Sequence, residues 1–225
     1  MASIYWAGDS TVAFNSRKTY PQTGIGQVFS LFTQPEIMVK NFAINGRSTK
    51  SFIDQGRLDR IDKEIREGDF FFIQFGHNDE KVSDPLRYTE ATTSFKQYLS
   101  LYLDVALSHN AYPLLISPLE RMVFAENHLV PSAHLPYVQA MKEVAEKRGV
   151  AMIDLFARSR KAIDTMGEGK SSELFMHVKP HEYENYPQGK EDNTHLQQRG
   201  AVYFASLLAE EIAKLPFPYT TLLLE

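Results

Sequence analysis

Ile4-Tyr5-Trp6-Ala7-Gly8-Asp9-Ser10 is the stretch on which the reading of this chain turns. Four apolar residues in a row suit a strand buried on both faces, as in parallel sheets covered by helices. Gly8, Asp9 and Ser10 then supply turn residues at its exit. Open α/β folds bind ligands beyond the carboxyl ends of their strands, so a serine hydroxyl there is well placed to act as a nucleophile. Taken alone, the tripeptide reads more readily as a strand-ending turn.

Working outward from this first strand, at about 3–7, similar apolar runs recur at about 37–44, 70–75, 111–117 and 150–154. The segments between them have helical spacing. Phe95, Leu99, Tyr102, Leu103, Ala106 and Leu107 share one stripe of 89–108, and Leu135, Val138, Met141, Val144 and Ala145 share one of 134–148. Such alternation predicts an α/β fold, a parallel sheet with helices on both faces, because right-handed crossovers place the helices there. One domain is expected over 1–225. Residues 177–194, with Pro180, Pro187 and Gly189, read as a long irregular loop of the kind that is functional or mobile. Thr194 and Gln197 have capping-box spacing and predict a last helix running to about Lys214, with His195 in its first turn. The apolar tail Tyr219 to Leu224 is expected to pack on the body or on a second copy, which leaves a homo-oligomer open.

Composition narrows the function classes. The chain has 225 residues, 43% of them hydrophobic and 23% charged, an ordinary globular balance. A net charge of -4 with scattered Lys and Arg gives no footprint for nucleic acid. Zero cysteines exclude a thiolate nucleophile, a disulfide framework and Cys-based metal sites, and suit a reducing compartment. The opening Met-Ala-Ser-Ile-Tyr-Trp has no basic region followed by an apolar one, so the expected location is cytoplasmic. No apolar run approaches the ~20 residues of a membrane-spanning helix, and no membrane partner is expected.

Serine chemistry needs a hydroxyl, a base to take its proton, and donors for the oxyanion of the tetrahedral intermediate. In Asp192-Asn193-Thr194-His195 a carboxylate stands three residues before an imidazole, close enough to fix its tautomer and orientation. Two loops behind the second and third strands offer donors: Gly46, whose backbone N–H is unobstructed by a side chain, and Asn78, whose amide can donate beside it. As isolated residues, these are also an ordinary turn glycine and an Asx-turn asparagine. Arg47 and His77 flank these donors and are candidates for binding sugar hydroxyls or a uronate carboxylate, or are plain loop residues. Tyr183 and Tyr186 are candidates for stacking on sugar rings, or anchors of their own loop. Asp9 is expected to shape the Ser10 turn.

Together the four pieces, Gly8-Asp-Ser10, Gly46 within Asn41-Phe-Ala-Ile-Asn-Gly-Arg-Ser48, Gly76-His-Asn-Asp79 and Asp192-Asn-Thr-His195, resemble the four blocks of the SGNH (GDSL-like) hydrolases. The longer strings Gly8-Asp-Ser-Thr11, Asn45-Gly-Arg-Ser48, Phe75-Gly-His-Asn-Asp79 and Gly189-Lys-Glu-Asp-Asn-Thr-His195 are similar to the rhamnogalacturonan acetylesterase branch. That resemblance implies a three-layer α/β/α sandwich with a five-stranded parallel sheet, flavodoxin-like in type. It implies Ser10 as nucleophile, His195 as general base and acid, and Asp192 as its orienting carboxylate. It further implies an oxyanion hole from the backbone N–H groups of Ser10 and Gly46 and the Asn78 amide, with no metal and no cofactor. The expected substrate is a small acetylated carbohydrate, and the alternative is a lipase, thioesterase or lysophospholipase of the same class. The chain departs from secreted fungal members of the branch, which carry cysteines and a signal sequence, and so an imported oligosaccharide is the expected form of substrate. Competing motifs are absent: there is no G-x-S-x-G elbow, Gly24-Ile25-Gly26 lacks a third glycine, and Pro180 breaks any helical pairing of His177 with His181.

Overall fold

A computed structural model describes residues 2–224. Its centre is a five-stranded parallel sheet made of β1 (Ser3–Gly8), β2 (Met38–Asn41), β3 (Phe70–Gln74), β4 (Tyr112–Ile116) and β7 (Ala151–Ile153), in the order β2-β1-β3-β4-β7. A two-stranded hairpin, β5 (Phe124–Ala125) and β6 (His128–Leu129), stands apart from it. The sheet agrees with the five predicted runs, and its order reverses direction at β1 and β3. At such a switch point the crossovers leave in opposite directions and open a crevice at the strand ends.

Strand periodicity divides the core in two. Ile4, Trp6, Phe70, Phe72, Leu114 and Ile116 point to one face and pack with Ile25, Phe29, Phe204 and Leu208. These partners come largely from α1 (Ile25–Val28) and α7 (Gln198–Ile212). Tyr5, Ala7, Phe71, Ile73 and Leu115 point to the other face. They meet Phe52 of α2 (Thr49–Asp54), Leu58 and Ile61 of α3 (Arg57–Glu64), and residues of α4 (Ser94–Ser108) and α5 (Leu135–Arg148). Because both faces are covered, the strands read as unbroken apolar runs rather than alternating ones.

The helical stripes hold for their central residues: Phe95, Leu99, Tyr102, Leu103 and Ala106 are buried, as are Val138, Met141, Val144 and Ala145. Leu107 and Leu135, at the helix ends, are instead 43% and 51% exposed, while Ala106 in the same turn as Leu107 is fully buried, so the buried stripe passes beside Leu107. The larger correction concerns the last helix. Thr194 caps nothing; α7 begins at Gln198 with Gln197 as its N-cap and no side-chain cap bond. His195 lies at a bend and Leu196 and Gln197 are extended because their backbone is already engaged: Met176 N–H donates to His195 O, Thr23 N–H to Leu196 O, and Gln197 N–H to Leu174 O. A true capping box occurs at Ser48 and Ser51, opening α2. The helix α6 (Leu155–Ser171) is interrupted at Gly167, whose φ is 73°. The tail packs on the body: Tyr219 and Leu222 are buried, and the Tyr219 hydroxyl donates to Pro113 O at 2.6 Å.

Candidate active site

Ser10 lies two residues beyond the end of β1, in a turn built by its neighbour. The Asp9 carbonyl accepts from the backbone N–H groups of Val12 and Ala13, while its Oδ1 accepts from the Thr11 N–H and hydroxyl at 2.9 and 2.8 Å. The chain therefore curls as soon as it leaves the sheet, and Ser10 is carried at the curl. Asp9 is fully buried, and burial pushes its carboxyl up against the lowering effect of the Thr11 bonds. Gly8 gives close clearance just before it, since a Cβ there would crowd the Gln74 carbonyl oxygen on β3 at 3.0 Å.

The imidazole reaches Ser10 from the far end of the sequence. His195 Nε2 is 3.0 Å from Ser10 Oγ, and Nδ1 is 2.7 Å from Asp192 Oδ2. The other carboxylate oxygen of Asp192 accepts from the backbone N–H groups of Thr194 and His195, both at 2.9 Å. Lys190 Nζ lies 3.0 Å from Oδ2. Burial by itself raises the Asp192 carboxyl, but the hydrogen bonds from His195 and Thr194 and the His195 charge outweigh it, holding the group far below the usual carboxylate range. An ionised Asp192 makes Nδ1 the protonated nitrogen, which leaves the Nε2 lone pair facing the serine hydroxyl. The arrangement can take a proton from Ser10 and return it.

Donors face the same spot from β2 and β3. Gly46 occupies the third position of the Ile44–Arg47 turn with φ 75°, a conformation that costs glycine little. Within the described residues, no hydrogen bond takes up the backbone N–H of Ser10 or of Gly46. Asn78 is buried; its Nδ2 donates to Arg47 O at 3.0 Å, which leaves one amide hydrogen, and its Oδ1 accepts from Arg87 Nη1 at 3.3 Å. Behind it, Asp79 ties the β3 loop to α2. Its Oδ1 accepts from the Thr49 N–H and from the hydroxyls of Thr49 and Thr89, while burial pushes its carboxyl up to about 7.

These groups surround one open cavity of about 450 Å³, lined by Ser10, Asn45, Gly46, His77, Asn78, Lys81, Arg121, Asp192, Thr194 and His195. No member of that set has an apolar side chain. The structure therefore brings together all five residues expected for the chemistry, but not all four expected for substrate. His77 lines the cavity yet is only 2% exposed; burial, then the charges of His134 and Arg121, keep its imidazole well below its ordinary pKa and so neutral. Arg47 turns to Gln55 and Asn45 O, outside the lining. Tyr183 meets Tyr20 edge-on at 5.7 Å and the Tyr186 hydroxyl donates to Thr19 O, so both anchor the 182–186 segment to the 17–20 segment. Lys81 and Arg121 were missed. The signal lay in position, two charged residues shortly after the third and fourth predicted strands, on the Ser10 rim.

Among the described residues, no group of three or more His, Cys, Asp or Glu is placed to hold a metal ion, and no helix is long and apolar enough to cross a membrane. The GDSL-like lipase/acylhydrolase family matches residues 4–208. Rhamnogalacturonan acetylesterase RhgT of Bacillus subtilis is 39% identical over 215 residues, 96% of this chain and 91% of that protein. Probable rhamnogalacturonan acetylesterase YesY of the same organism is 39% identical over 217 residues, 96% of this chain and 95% of that one. Among solved structures, Bacillus subtilis YxiM superposes with a TM-score of 0.81 at 25% identity over 95% of this chain, which spans 56% of the YxiM chain. The acetylxylan esterase Axe2 of Geobacillus stearothermophilus shares the fold, with a TM-score of 0.63 at 15% identity over 93% of both chains.

Proposed function

This chain belongs to the GDSL-like lipase/acylhydrolase family, and on that footing we propose that it is a serine esterase releasing acetyl groups from carbohydrate, with pectic oligosaccharides of the rhamnogalacturonan type as substrate. The observation that carries this reading is the cavity lining: a hydroxyl with its base in place, surrounded wholly by polar groups and glycine. A long acyl chain would leave its apolar surface in water there, forfeiting roughly 0.8 kcal/mol per methylene. An acetyl group on a hydroxyl-rich sugar has little to forfeit. The relatives named for rhamnogalacturonan acetylesterase activity support the same substrate class.

In this reading Ser10 Oγ attacks the acetyl carbonyl carbon as His195 Nε2 takes the hydroxyl proton. The carbonyl oxygen, now an oxyanion, is held by the N–H groups of Ser10 and Gly46 and by Asn78 Nδ2. Asp192 keeps the imidazolium oriented and offsets its charge. When the tetrahedral intermediate collapses, the sugar oxygen leaves with the proton from Nε2 and the acetyl remains on Ser10. Water, deprotonated by the same nitrogen, then attacks the acetyl-serine, and acetate departs as Ser10 recovers its proton.

A series of 4-nitrophenyl esters from acetyl to octanoyl, followed by acetate release from acetylated pectic oligosaccharides, tests the chemistry and the substrate class together. Turnover highest on acetyl, with acetate released from the oligosaccharide, is expected. Faster turnover of octanoyl than acetyl overturns the carbohydrate reading.

A further inference from the structure

The proposed acetylesterase reaction explains five of the cavity residues but gives no part to Lys81 and Arg121, which line the same space. Arg121 is set in place from below. Its Nη1 is 2.7 Å from Glu80 Oε1, whose partner oxygen is 2.7 Å from His134 Nδ1, and its Nη2 donates to His77 O at 3.2 Å. Glu80 and His134 have side chains only 7% and 1% exposed, so the guanidinium rests on a buried, rigid support. Its Nε is buried with no partner.

Lys81 has no such counter-charge. Among the described residues it forms no ion pair: Asp84 is engaged by Arg87, Glu80 by Arg121 and His134, and Asp192 by His195 and Lys190, while Asp9, the other acid whose charge bears on it, is fully buried with its Oδ1 on Thr11. Burial, then the positive charges of Arg87 and Arg121, lower its pKa against the opposing charges of Asp9 and Asp84. Lys81 thus gives this rim a positive charge that no ion pair offsets among the described residues, and an anion bound between Lys81 and Arg121 would offset it.

We propose that Lys81 and Arg121 bind the carboxylate of a sugar acid, so that the enzyme selects acetyl esters carried by uronates over those of neutral sugars. This rests on the reading of Ser10 as the acyl acceptor. Arg121 supplies a planar fork matched to a carboxylate, and Lys81 a compact charge on the same cavity lining. The acid being bound is the one next to the ester, since both cations share the cavity with Ser10. The pair therefore sets which sugar is held and, through it, which ester faces the serine.

The test uses the full chain and two matched probes, a monoacetylated methyl galacturonide and the same glycoside with its carboxyl reduced to the alcohol, with acetate release as readout. Wild type should prefer the acid by about tenfold or more in kcat/KM, the scale of one hydrogen bond to a charged group. The preference should shrink as salt is raised. Lys81→Met should bring the ratio of the two values towards one, and Lys81→Arg should restore much of it. Because Arg121→Met would strand Glu80 and risk the fold, Arg121→Lys serves as the second variant, with a partial loss of the ratio. A wild-type ratio near one, or a ratio unchanged in Lys81→Met, overturns the proposal while leaving the esterase reading intact. Failure of wild type to release acetate from either probe or from an aryl acetate overturns the esterase reading, and this proposal with it.

Discussion

The two halves of the site are built differently. Ser10, Gly46 and Asn78 each follow a strand of the central sheet by a few residues, so their positions are inherited from hydrogen-bonded neighbours in register, such as Trp6 with Asn41 and Phe72. Asp192 and His195 come from a stretch with no helix or long strand, held by isolated bridges: Val178 to Lys190, Phe175 to Leu196 and Gln22 to Gln197. One half is placed by the central sheet, the other by a handful of backbone bonds outside the sheet, anchored where Phe175 and Leu196 enter the core. Rigidity is thus supplied wholesale to the serine and piecemeal to the histidine, and substitutions on the two sides should fail in different ways.

The largest effect should join the halves. Ser10→Ala and His195→Ala are each expected to cost roughly 10⁶-fold in kcat, and the double variant little more, because the residues act as one unit. Single-turnover kinetics on an aryl acetate measures this, and multiplicative losses would show that the two halves work independently. Next, Asn78→Ala on the strand side should cost about 2.7–4 kcal/mol of transition-state stabilisation, the scale for one oxyanion donor. Lower kcat at nearly constant KM is the expected form of that loss.

Asp79, which braces the strand side, predicts a pH signature in stability. Its folded value is pushed up to about 7, so the folded state holds a proton that the unfolded chain releases near 4. Stability should therefore fall as pH rises from about 4 to about 7, by up to about 4 kcal/mol from this group, and stay flat above. Asp192 works in the opposite sense: its depressed value contributes stability that is complete above the ordinary carboxylate range and lost as pH falls through and below it. In urea unfolding across pH 4.5 to 8, Asp79→Asn should remove this downward contribution, so that the slope of stability against pH is more positive in the variant than in wild type.

The smallest effect belongs to the histidine side. Gly189 has φ 74°, and a Cβ there would meet the Val178 carbonyl oxygen at 2.7 Å, across the bridge that holds the loop. Gly189→Ala should cost about 1–3 kcal/mol of local strain. If the comparison is right, kcat falls more than tenfold while Tm moves by only a few degrees; a fall in Tm without loss of kcat would show that the loop is braced by more than its bridges.

The same division explains what the sequence disclosed. The five strands and the serine, glycine and asparagine loops were legible because burial on both faces writes unbroken apolar runs, and turn residues mark where each ends. His195 was legible as a partner but not in its conformation. Thr194 and Gln197 carry the spacing of a helix cap, yet Asp192 takes the N–H groups of Thr194 and His195, and bonds from Thr23 and Met176 keep the next residues extended. Those partners lie some twenty to 170 residues away in the chain, beyond the reach of any local pattern. Lys81 and Arg121 were hidden for a related reason. A surface cation and a cavity cation look alike until the Glu80–His134 support beneath Arg121, and the shared cavity lining, are seen.

Asp192 and His195 are three residues apart on one turn of chain, and the carboxylate also grips the backbone N–H of its own histidine. They therefore travel as a single body. Any shift of their loop leaves the acid–imidazole geometry intact and changes only the 3.0 Å gap to Ser10. Activity is then governed by one distance, a throttle: loosening the loop lowers the fraction of molecules with that gap closed and so lowers kcat.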